Sequence, residues 1–264
     1  MSAATAGPRM VAPLGRMLWQ QTLMGFIGLV RIPAFSVSGL VLPVMFFAFF
    51  GLPNVHQSLY GVNAGGYLLG SFGAYAVSSM MVFNFGIGVA QERAAKVDLL
   101  VRAAPVPPVV YLVAKVIVSV VFALISLLVL FAFAIIVGGV RIPVDVAATM
   151  LIRLVLGSIP FIGMGFAIGY GFGASAAPAV TNLIYLPLSF ASGIFVPLTL
   201  LPGFIQQVAP YLPTYHFAQL AWSAVGANNA ESLAGAAVWL GIWTLIFFAI
   251  ALRSYRVEEE RKFG

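Results

Sequence analysis

Charged side chains are absent from two long stretches of this chain, residues 32–91 and 154–230. A third stretch, residues 109–137, contains one charge, that of Lys115. Only 8% of all residues are charged and 62% are hydrophobic, whereas soluble domains have about 25% charged residues. A soluble fold would lack the polar side chains needed to cover its surface. The chain is therefore expected to be an integral membrane protein.

The positive charges do not form a cluster of the kind that binds nucleic acid. The formal net charge is +6, but the lysines and arginines are scattered at the ends of apolar runs. That distribution is typical of the cytoplasmic loops of membrane proteins. Cysteine is absent, which excludes disulfides, thiol chemistry and cysteine-based metal sites.

The apolar runs predict one all-α transmembrane domain over residues 1–264. Residues 10–31 are weakly amphipathic, with Arg16 and Gln20 near one side, which predicts an N-terminal helix in the membrane interface. A seventh span is the alternative, but it would place Arg16 and Gln20 in hydrocarbon. Six transmembrane helices are predicted after this segment, at about 32–52, 64–90, 109–137, 147–171, 179–198 and 233–252.

Two of the predicted spans contain glycines at a spacing of four. Gly66 and Gly70 lie in the second span, and Gly165 and Gly169 lie in the fourth. Residues four apart share a helix face, and glycine there lets two helix backbones approach closely. We therefore expect these glycines at close contacts between helices.

The positions of lysine and arginine predict the orientation in the membrane. If both termini are cytoplasmic, only Arg141 and Arg153 of the 13 basic residues fall on the outer side. The outer loops 53–63 and 199–232 contain no basic residue. Both termini and the segment 91–108 are therefore expected in the cytoplasm. Abundant Ala, Gly, Val and Pro with little Lys points to a GC-rich bacterial genome, and hence to a bacterial plasma membrane.

The segment 91–108 is a polar island between two predicted spans. Its charged residues are Glu92, Arg93, Lys96, Asp98 and Arg102. Each acid precedes a base by four residues, at 92 and 96 and at 98 and 102, which favours a helix. Leu99 and Leu100 lie among these charges, and Pro105 follows where such a helix would end. A short surface helix with exposed leucines and a plain solvated loop are both compatible with this pattern.

The outer segment 199–232 is long for a loop but largely apolar. Pro202, Pro210 and Pro213 divide it into pieces that are too short to cross a bilayer. Two short helices that dip into the outer leaflet, a re-entrant hairpin, would act as an outer gate or lid. Such backbone persists at membrane depth only where it is packed against protein or lines a cavity. An interfacial loop anchored by aromatic residues is the alternative.

The sequence predicts no catalytic, cofactor or metal site. The phosphate-binding pattern G-x-x-x-x-G-K-[ST] does not occur, and the acidic residues lie in loops, at span ends or in the tail. His56 and His216 stand alone in predicted outer loops, where we expect them to anchor the chain. Lys115 is expected to snorkel to the interface, and for Arg153 snorkelling is favoured over contact with an anionic headgroup. The tail from Arg253 is expected to be a solvated helix end, so energy for transport would have to come from a partner.

Four features resemble the ABC-2 family of ABC-exporter permeases and together extend over most of the chain. One is the charged tail. The first span opens with Arg31-x-Pro33-x-Phe35, and the polar island reads Glu92-Arg93…Asp98-Leu99-Leu100…Pro105. The run that follows the fifth span reads Ser192-Gly193-Ile194-Phe195-Val196-Pro197…Leu201-Pro202…Leu212-Pro213-Thr214-Tyr215.

The resemblance implies a non-catalytic half-transporter. Two copies of this chain, or one copy and a paralogue, would pair in the membrane, and two separate ATPase subunits would bind ATP and Mg²⁺ on the cytoplasmic side. The resemblance assigns the coupling helix that contacts the ATPase to Glu92, Arg93, Lys96, Asp98, Leu99, Leu100 and Pro105. It assigns the outer hairpin to Phe195, Pro197, Pro202, Phe204, Pro213 and Tyr215.

Sparse polar residues in the spans suit an amphipathic, drug-like or lipid-like substrate that is exported. A stand-alone secondary carrier or channel is the alternative, and it would need a buried ionisable residue or an inverted repeat. A membrane scaffold without transport activity is a third possibility. A neighbouring gene for an ATPase would favour the first hypothesis.

Overall fold

Almost all regular structure in this protein is helical. A computed structural model describes residues 13–97 and 106–263. The helices are α1 (Leu14–Val30), α2 (Pro33–Phe46), α3 (Ala64–Ala94), α4 (Pro108–Ile136), α5 (Val144–Gly157), α6 (Ile159–Gly171), α7 (Ala177–Ala191), α8 (Gly203–Val208), α9 (Pro213–Trp222) and α10 (Leu233–Phe263). Two short strands, β1 (Ser58–Leu59) and β2 (Val62–Asn63), form an antiparallel hairpin before α3.

Four helical segments within the described residues are long and apolar enough to cross a membrane. They are Ala64–Ala94, Pro108–Ile136, Val144–Gly171 and Leu233–Glu260. With 28 to 31 residues each, they are about 42–46 Å long, more than the hydrocarbon core of a bilayer requires. The structure therefore supports an all-α, multi-pass membrane protein.

The predicted first and fifth spans are shorter apolar helices in the structure. α2 gives way to a π turn at Phe47–Gly51 and a 3-10 turn at Leu52–Asn54. α7 has 15 residues and ends at Ala191, because Gly193 adopts a left-handed backbone with φ of 80°. A 15-residue helix is about 22 Å long, which is less than the bilayer core.

α3 forms the centre of the molecule. In its most apolar window, 83% of residues are buried, compared with 11% for the last helix, α10. α3 packs against α2, α4, α6, α7 and α9, whereas α6 packs against both α3 and α10. The Asn63 side chain caps α3 by accepting a hydrogen bond from the Gly66 amide at 3.2 Å.

The predicted fourth span is divided into α5 and α6 at Ser158. Pro160 is the second residue of α6 and has no amide hydrogen to bond with the carbonyl of Leu156. The chain instead makes a short turn, in which the Phe161 amide donates to the Ser158 carbonyl at 3.0 Å.

The outer segment contains one exposed and one buried helix. On α8 and its flanking turns, Leu200 and Phe204 are 74% and 69% exposed. By contrast, nearly every side chain of α9 is buried. The Trp222 indole donates to Ser71 at 2.8 Å and stacks on Tyr67, so α9 lies against the first two turns of α3.

Candidate functional site at the C-terminal end of α3

Glu92 and Arg93 occupy the last turn of α3, so they extend the long central helix rather than begin a separate surface helix. Lys96 follows after the helix has ended at Ala94, with a left-handed φ of 56°. The predicted pairing of Glu92 with Lys96 therefore does not form. The other residues assigned to the coupling helix lie outside the described part of the chain, and they are Asp98, Leu99, Leu100 and Pro105.

Glu92 forms an ion pair with Lys115 of α4. The Lys115 ammonium lies 2.7 Å from Glu92 Oε1, and the Tyr111 hydroxyl donates to Glu92 Oε2 at 2.5 Å. The Lys115 side chain is only 8% exposed, so its ammonium is held within the protein by this carboxylate. The signal available in the sequence was the spacing of Tyr111 and Lys115, which places both on one face of α4.

A hydrogen-bonded chain continues from this ion pair into the protein. Ser119 donates its proton to the carbonyl of Lys115 at 2.9 Å, and its oxygen accepts from the Asn84 amide nitrogen at 2.6 Å. Gly88 provides room, because a Cβ there would lie 3.3 Å from the Lys115 ammonium. The ammonium also lies 5.8 Å from the centre of the Phe85 ring, within the range of a cation–π interaction.

Arg93 connects α3 with α6 and α10. Its guanidinium donates to the carbonyls of Gly169 at 2.5 Å and Phe172 at 3.3 Å, at the C-terminal end of α6. The partial negative charge of a helix C-terminus favours a cation at this position. The guanidinium also forms an ion pair of 2.6 Å with Glu258 of α10, and the Arg93 side chain is 14% exposed.

The tail is not merely a solvated helix end, as the sequence had suggested. α10 continues without a break to Phe263, and Glu258 returns to Arg93. The Tyr255 ring packs edge-on against Tyr170 of α6, with ring centres 5.2 Å apart. The tail is therefore attached to the same end of α3 that precedes the predicted coupling segment.

A cavity of about 460 Å³ opens beside Glu92, between the α1–α2 region, α3 and α7. The described residues that line it are Leu29, Ile32, Gly39, Leu42, Tyr75, Ser79, Met80, Phe83, Asn84, Ile87, Gly88, Gln91, Glu92, Pro178 and Asn182. A second cavity of about 250 Å³ lies towards α1 and α4, and it includes Glu92, Tyr111 and Lys115. Glu92 thus contributes to the walls of both cavities.

The predicted hairpin residues have different surroundings. Phe195 is buried among aromatic rings, with Phe190 at 4.4 Å and Phe46 at 4.7 Å between ring centres. Phe195 and Pro197 line a cavity of about 260 Å³, whereas Phe204 is largely exposed. Of the remaining three residues, Pro213 is buried, Tyr215 is half-buried and Pro202 is exposed.

The glycines singled out for helix packing also differ in their surroundings. A Cβ on Gly165 would lie 2.6 Å from Phe85 Cβ, and a Cβ on Gly169 would lie 2.6 Å from the Phe85 carbonyl oxygen. A Cβ on Gly70 would lie 3.1 Å from Ala221 of α9. For Gly66 the nearest atom is 4.0 Å away, which is an ordinary contact.

His216 is buried in α9 and has a carboxylate partner, so the expectation that it stands alone in a loop is wrong. Its Nδ1 lies 2.5 Å from Glu231, and its Nε2 lies 2.8 Å from the Pro210 carbonyl. Burial and the nearby Glu231 charge raise the pKa of the adjacent Tyr215. Among the described residues, no group of three His, Cys, Asp or Glu side chains could hold a metal ion.

Arg153 also finds a partner within the protein. Its guanidinium donates to the Ser223 hydroxyl at 3.0 Å, and the side chain is half-buried. The favoured expectation that it snorkels outward is therefore replaced by a contact between α5 and the end of α9.

Comparison with known proteins identifies the family of this membrane domain. Residues 50–253 match the model of an ABC-2 family transporter protein. The chain is also 25% identical over 232 residues to "Putative transport permease YvfS" of Bacillus subtilis (strain 168), which covers 88% of this chain and 91% of the relative. Since the family model matches most of a chain built from apolar membrane helices, this protein belongs to the ABC-2 transporter family.

Proposed function

We propose that this chain is the permease subunit of an ATP-binding-cassette exporter. It moves an amphipathic, drug-like or lipid-like substrate out of the cytoplasm with energy from ATP that is hydrolysed on a separate subunit. Membership in the family supports a membrane subunit with an ABC ATPase partner. The chain itself binds no cofactor in this proposal, because ATP and Mg²⁺ belong to the partner.

The observation that carries the proposal is the position of Glu92. Glu92 lines the 460 Å³ cavity and lies in the last turn of α3, a few residues before Asp98, Leu99 and Leu100 in the sequence. A movement of the segment 91–108 would therefore be transmitted to the cavity wall through a single helix. Arg93 would carry the same movement to α6 and α10.

The proposed complex contains two permeases, either two copies of this chain or this chain and a paralogue, and two ATPase subunits. Each permease crosses a bacterial plasma membrane six times, with α2 and α7 completing the set of spans and both termini in the cytoplasm. The lack of basic residues in 53–63 and 199–232 supports this orientation. Membrane lipid surrounds the outer helical faces.

The segment from Phe195 to Trp222 forms the outer gate in this proposal. Burial of α9 against Tyr67, Gly70 and Ser71 of α3 supports a re-entrant hairpin, because its backbone is covered by protein. Exposed α8 residues such as Phe204 would lie at the outer leaflet.

A proton-coupled secondary carrier is a second candidate, and one specific observation favours it. The Lys115–Glu92 pair places ionisable groups at the wall of a cavity, which the sequence alone did not predict. Ionisable residues within membrane segments commonly belong to ion or proton pathways. Dependence of transport on a proton gradient, rather than on ATP, would identify this function.

Replacing Leu99 and Leu100 together by Asp is expected to separate the ATPase from the permease. Anchoring side chains at the centre of an interface each contribute about 2 kcal/mol or more, which corresponds to roughly a 30-fold loss of affinity. The measurement is the amount of ATPase that co-purifies with the tagged permease and the substrate-stimulated ATP hydrolysis of the complex.

Leu200→Asp is the control, because it makes the same kind of substitution at an exposed leucine of the outer segment. This control should retain the ATPase in full. Normal ATPase recovery and normal transport with the Leu99/Leu100 double variant would refute the coupling assignment.

A further inference from the structure

We infer that the 460 Å³ cavity beside Glu92 binds an amphiphile with a cationic amine head and an apolar body. The inference rests on the proposed function, since it names the substrate class of that exporter. Cavities of about 300–1,000 Å³ with mostly apolar walls and a few placed polar groups are typical of small-molecule sites. The volume and the wall of this cavity fit that description.

The apolar body is recognised by side chains from two helices. Leu42 of α2 and Met80, Phe83 and Ile87 of α3 contribute to the wall. None of these side chains has a hydrogen-bonding group, so this part of the cavity favours hydrocarbon or an aromatic ring system. Methionine adapts its shape to irregular ligands, which suits an exporter of varied amphiphiles.

The amide of Asn84 presents an acceptor to the cavity. Ser119 uses its proton on the Lys115 carbonyl, so its oxygen must accept from Asn84, which fixes the amide nitrogen on the Ser119 side. The Asn84 oxygen then lies towards Gly88 of the cavity wall, where a Cβ would approach this oxygen to 3.2 Å and the Lys115 ammonium to 3.3 Å. Asn84 therefore offers an oxygen to a ligand.

The side-chain amide of Asn182, in α7, also has its nitrogen bonded within the protein. Its amide nitrogen donates to the Pro178 carbonyl at 2.9 Å, so its oxygen is left for a ligand. Ser79 donates its proton to the Ala76 carbonyl at 3.0 Å, which leaves its lone pairs available. Tyr75 and Gln91 also line the cavity, and their polar groups can accept as well as donate.

The charge of the wall has the sign that attracts a cation. Glu92 lines both cavities and is the one charged residue among the described residues of the larger wall, whereas its partner Lys115 lines the neighbouring 250 Å³ cavity. A ligand in the larger cavity therefore lies beside Glu92, Asn84 and Asn182. An ammonium head is favoured by each of these groups, and a carboxylate head is opposed by them.

The test measures binding to the permease alone, in lipid nanodiscs and without ATPase or ATP. The probe is rhodamine 6G, a fluorescent cationic amphiphile, and the competitors are decylamine, decanol and decanoate, which share one chain length. Empty nanodiscs correct for partitioning into lipid. We expect decylamine to displace the dye at concentrations at least about tenfold lower than decanol or decanoate, since like charges repel and opposite charges attract at this distance.

Two opposite substitutions at one position locate the site. Asn182 is exposed on α7, so both Asn182→Lys and Asn182→Asp are expected to fold. The first should weaken dye binding about tenfold or more, and the second should preserve or strengthen it. His56→Lys is the control, because it adds the same charge at an exposed residue outside this cavity.

The inference is overturned if no dye binds, if decanoate competes as well as decylamine, or if Asn182→Lys binds like the wild type. Because no ATPase is present, these results would leave the proposed exporter function intact. Conversely, dye binding with the expected variants but without ATP-driven transport would refute the exporter and leave the binding site.

Discussion

Replacing Gly165 and Gly169 together by alanine is expected to prevent the accumulation of folded protein. A Cβ at 169 would lie 2.6 Å from the Phe85 carbonyl oxygen and 2.9 Å from Val89 Cβ. A Cβ at 165 would lie 2.6 Å from Phe85 Cβ and 3.1 Å from the Gly86 amide nitrogen. Backbone atoms cannot rotate away, so α3 and α6 would have to separate.

Overpacking of this kind costs about 1–3 kcal/mol per site, and native stabilities are only about 5–15 kcal/mol. The measurement is the yield of monodisperse protein in detergent and the midpoint of its thermal unfolding, for both single variants and the double variant. Gly171→Ala is the matched control on α6, because its nearest neighbour, Ser254 Oγ, lies at an ordinary 3.7 Å. Wild-type yield and unfolding midpoint in the double variant would show that the α3–α6 contact is looser than described.

Arg93→Met is expected to destabilise the protein strongly and to release the tail of α10. The substitution removes the guanidinium that pairs with the Glu258 carboxylate and donates to the Gly169 and Phe172 carbonyls. Removing one member of a buried, hydrogen-bonded charge pair costs about 3–5 kcal/mol, and the partial exposure of this pair places the expected loss at the lower end. The measurement is thermal unfolding, together with proteolytic cleavage after the basic residues of the tail.

Arg256→Met is the control, because Arg256 is an exposed residue of the same tail. Exchanging the charges, with Arg93→Glu and Glu258→Arg, should not restore stability, since the two carbonyls of α6 would then face a carboxylate. Full recovery by this exchange would mean that only the ion pair matters, which contradicts the role given to the end of α6.

The long apolar spans could be predicted from the sequence because their signal is local. The third predicted span, 109–137, agrees closely with Pro108–Ile136, since this stretch is almost purely aliphatic. The positions at which proline and glycine interrupt a span were harder to predict. Pro160 divides the fourth span and the Ser192–Gly193 turn shortens the fifth, because the local backbone overrides a continuous apolar pattern.

The contacts of the candidate site could not be predicted, because they join residues that are distant in the chain. Glu92 was recognised as part of a polar island, but Lys115 was expected only to reach the membrane interface, and no pairing with Glu92 was predicted. Likewise, nothing local links Arg93 to Glu258 at the other end of the sequence. Only the packing of α4 and α6 against α3, and of α10 against α6, brings these charges together.

The distinction between an ATP-driven permease and a proton-coupled carrier can be measured in proteoliposomes. Vesicles would contain the permease alone or the permease with its ATPase, and uptake of amphipathic dyes and fluorescent lipids would be followed with ATP or with an imposed proton gradient. We expect ATP-dependent transport only when both subunits are present, and no effect of the proton gradient on the permease alone. Transport by the permease alone, driven by the proton gradient, would contradict the proposal that this chain depends on a separate ATPase.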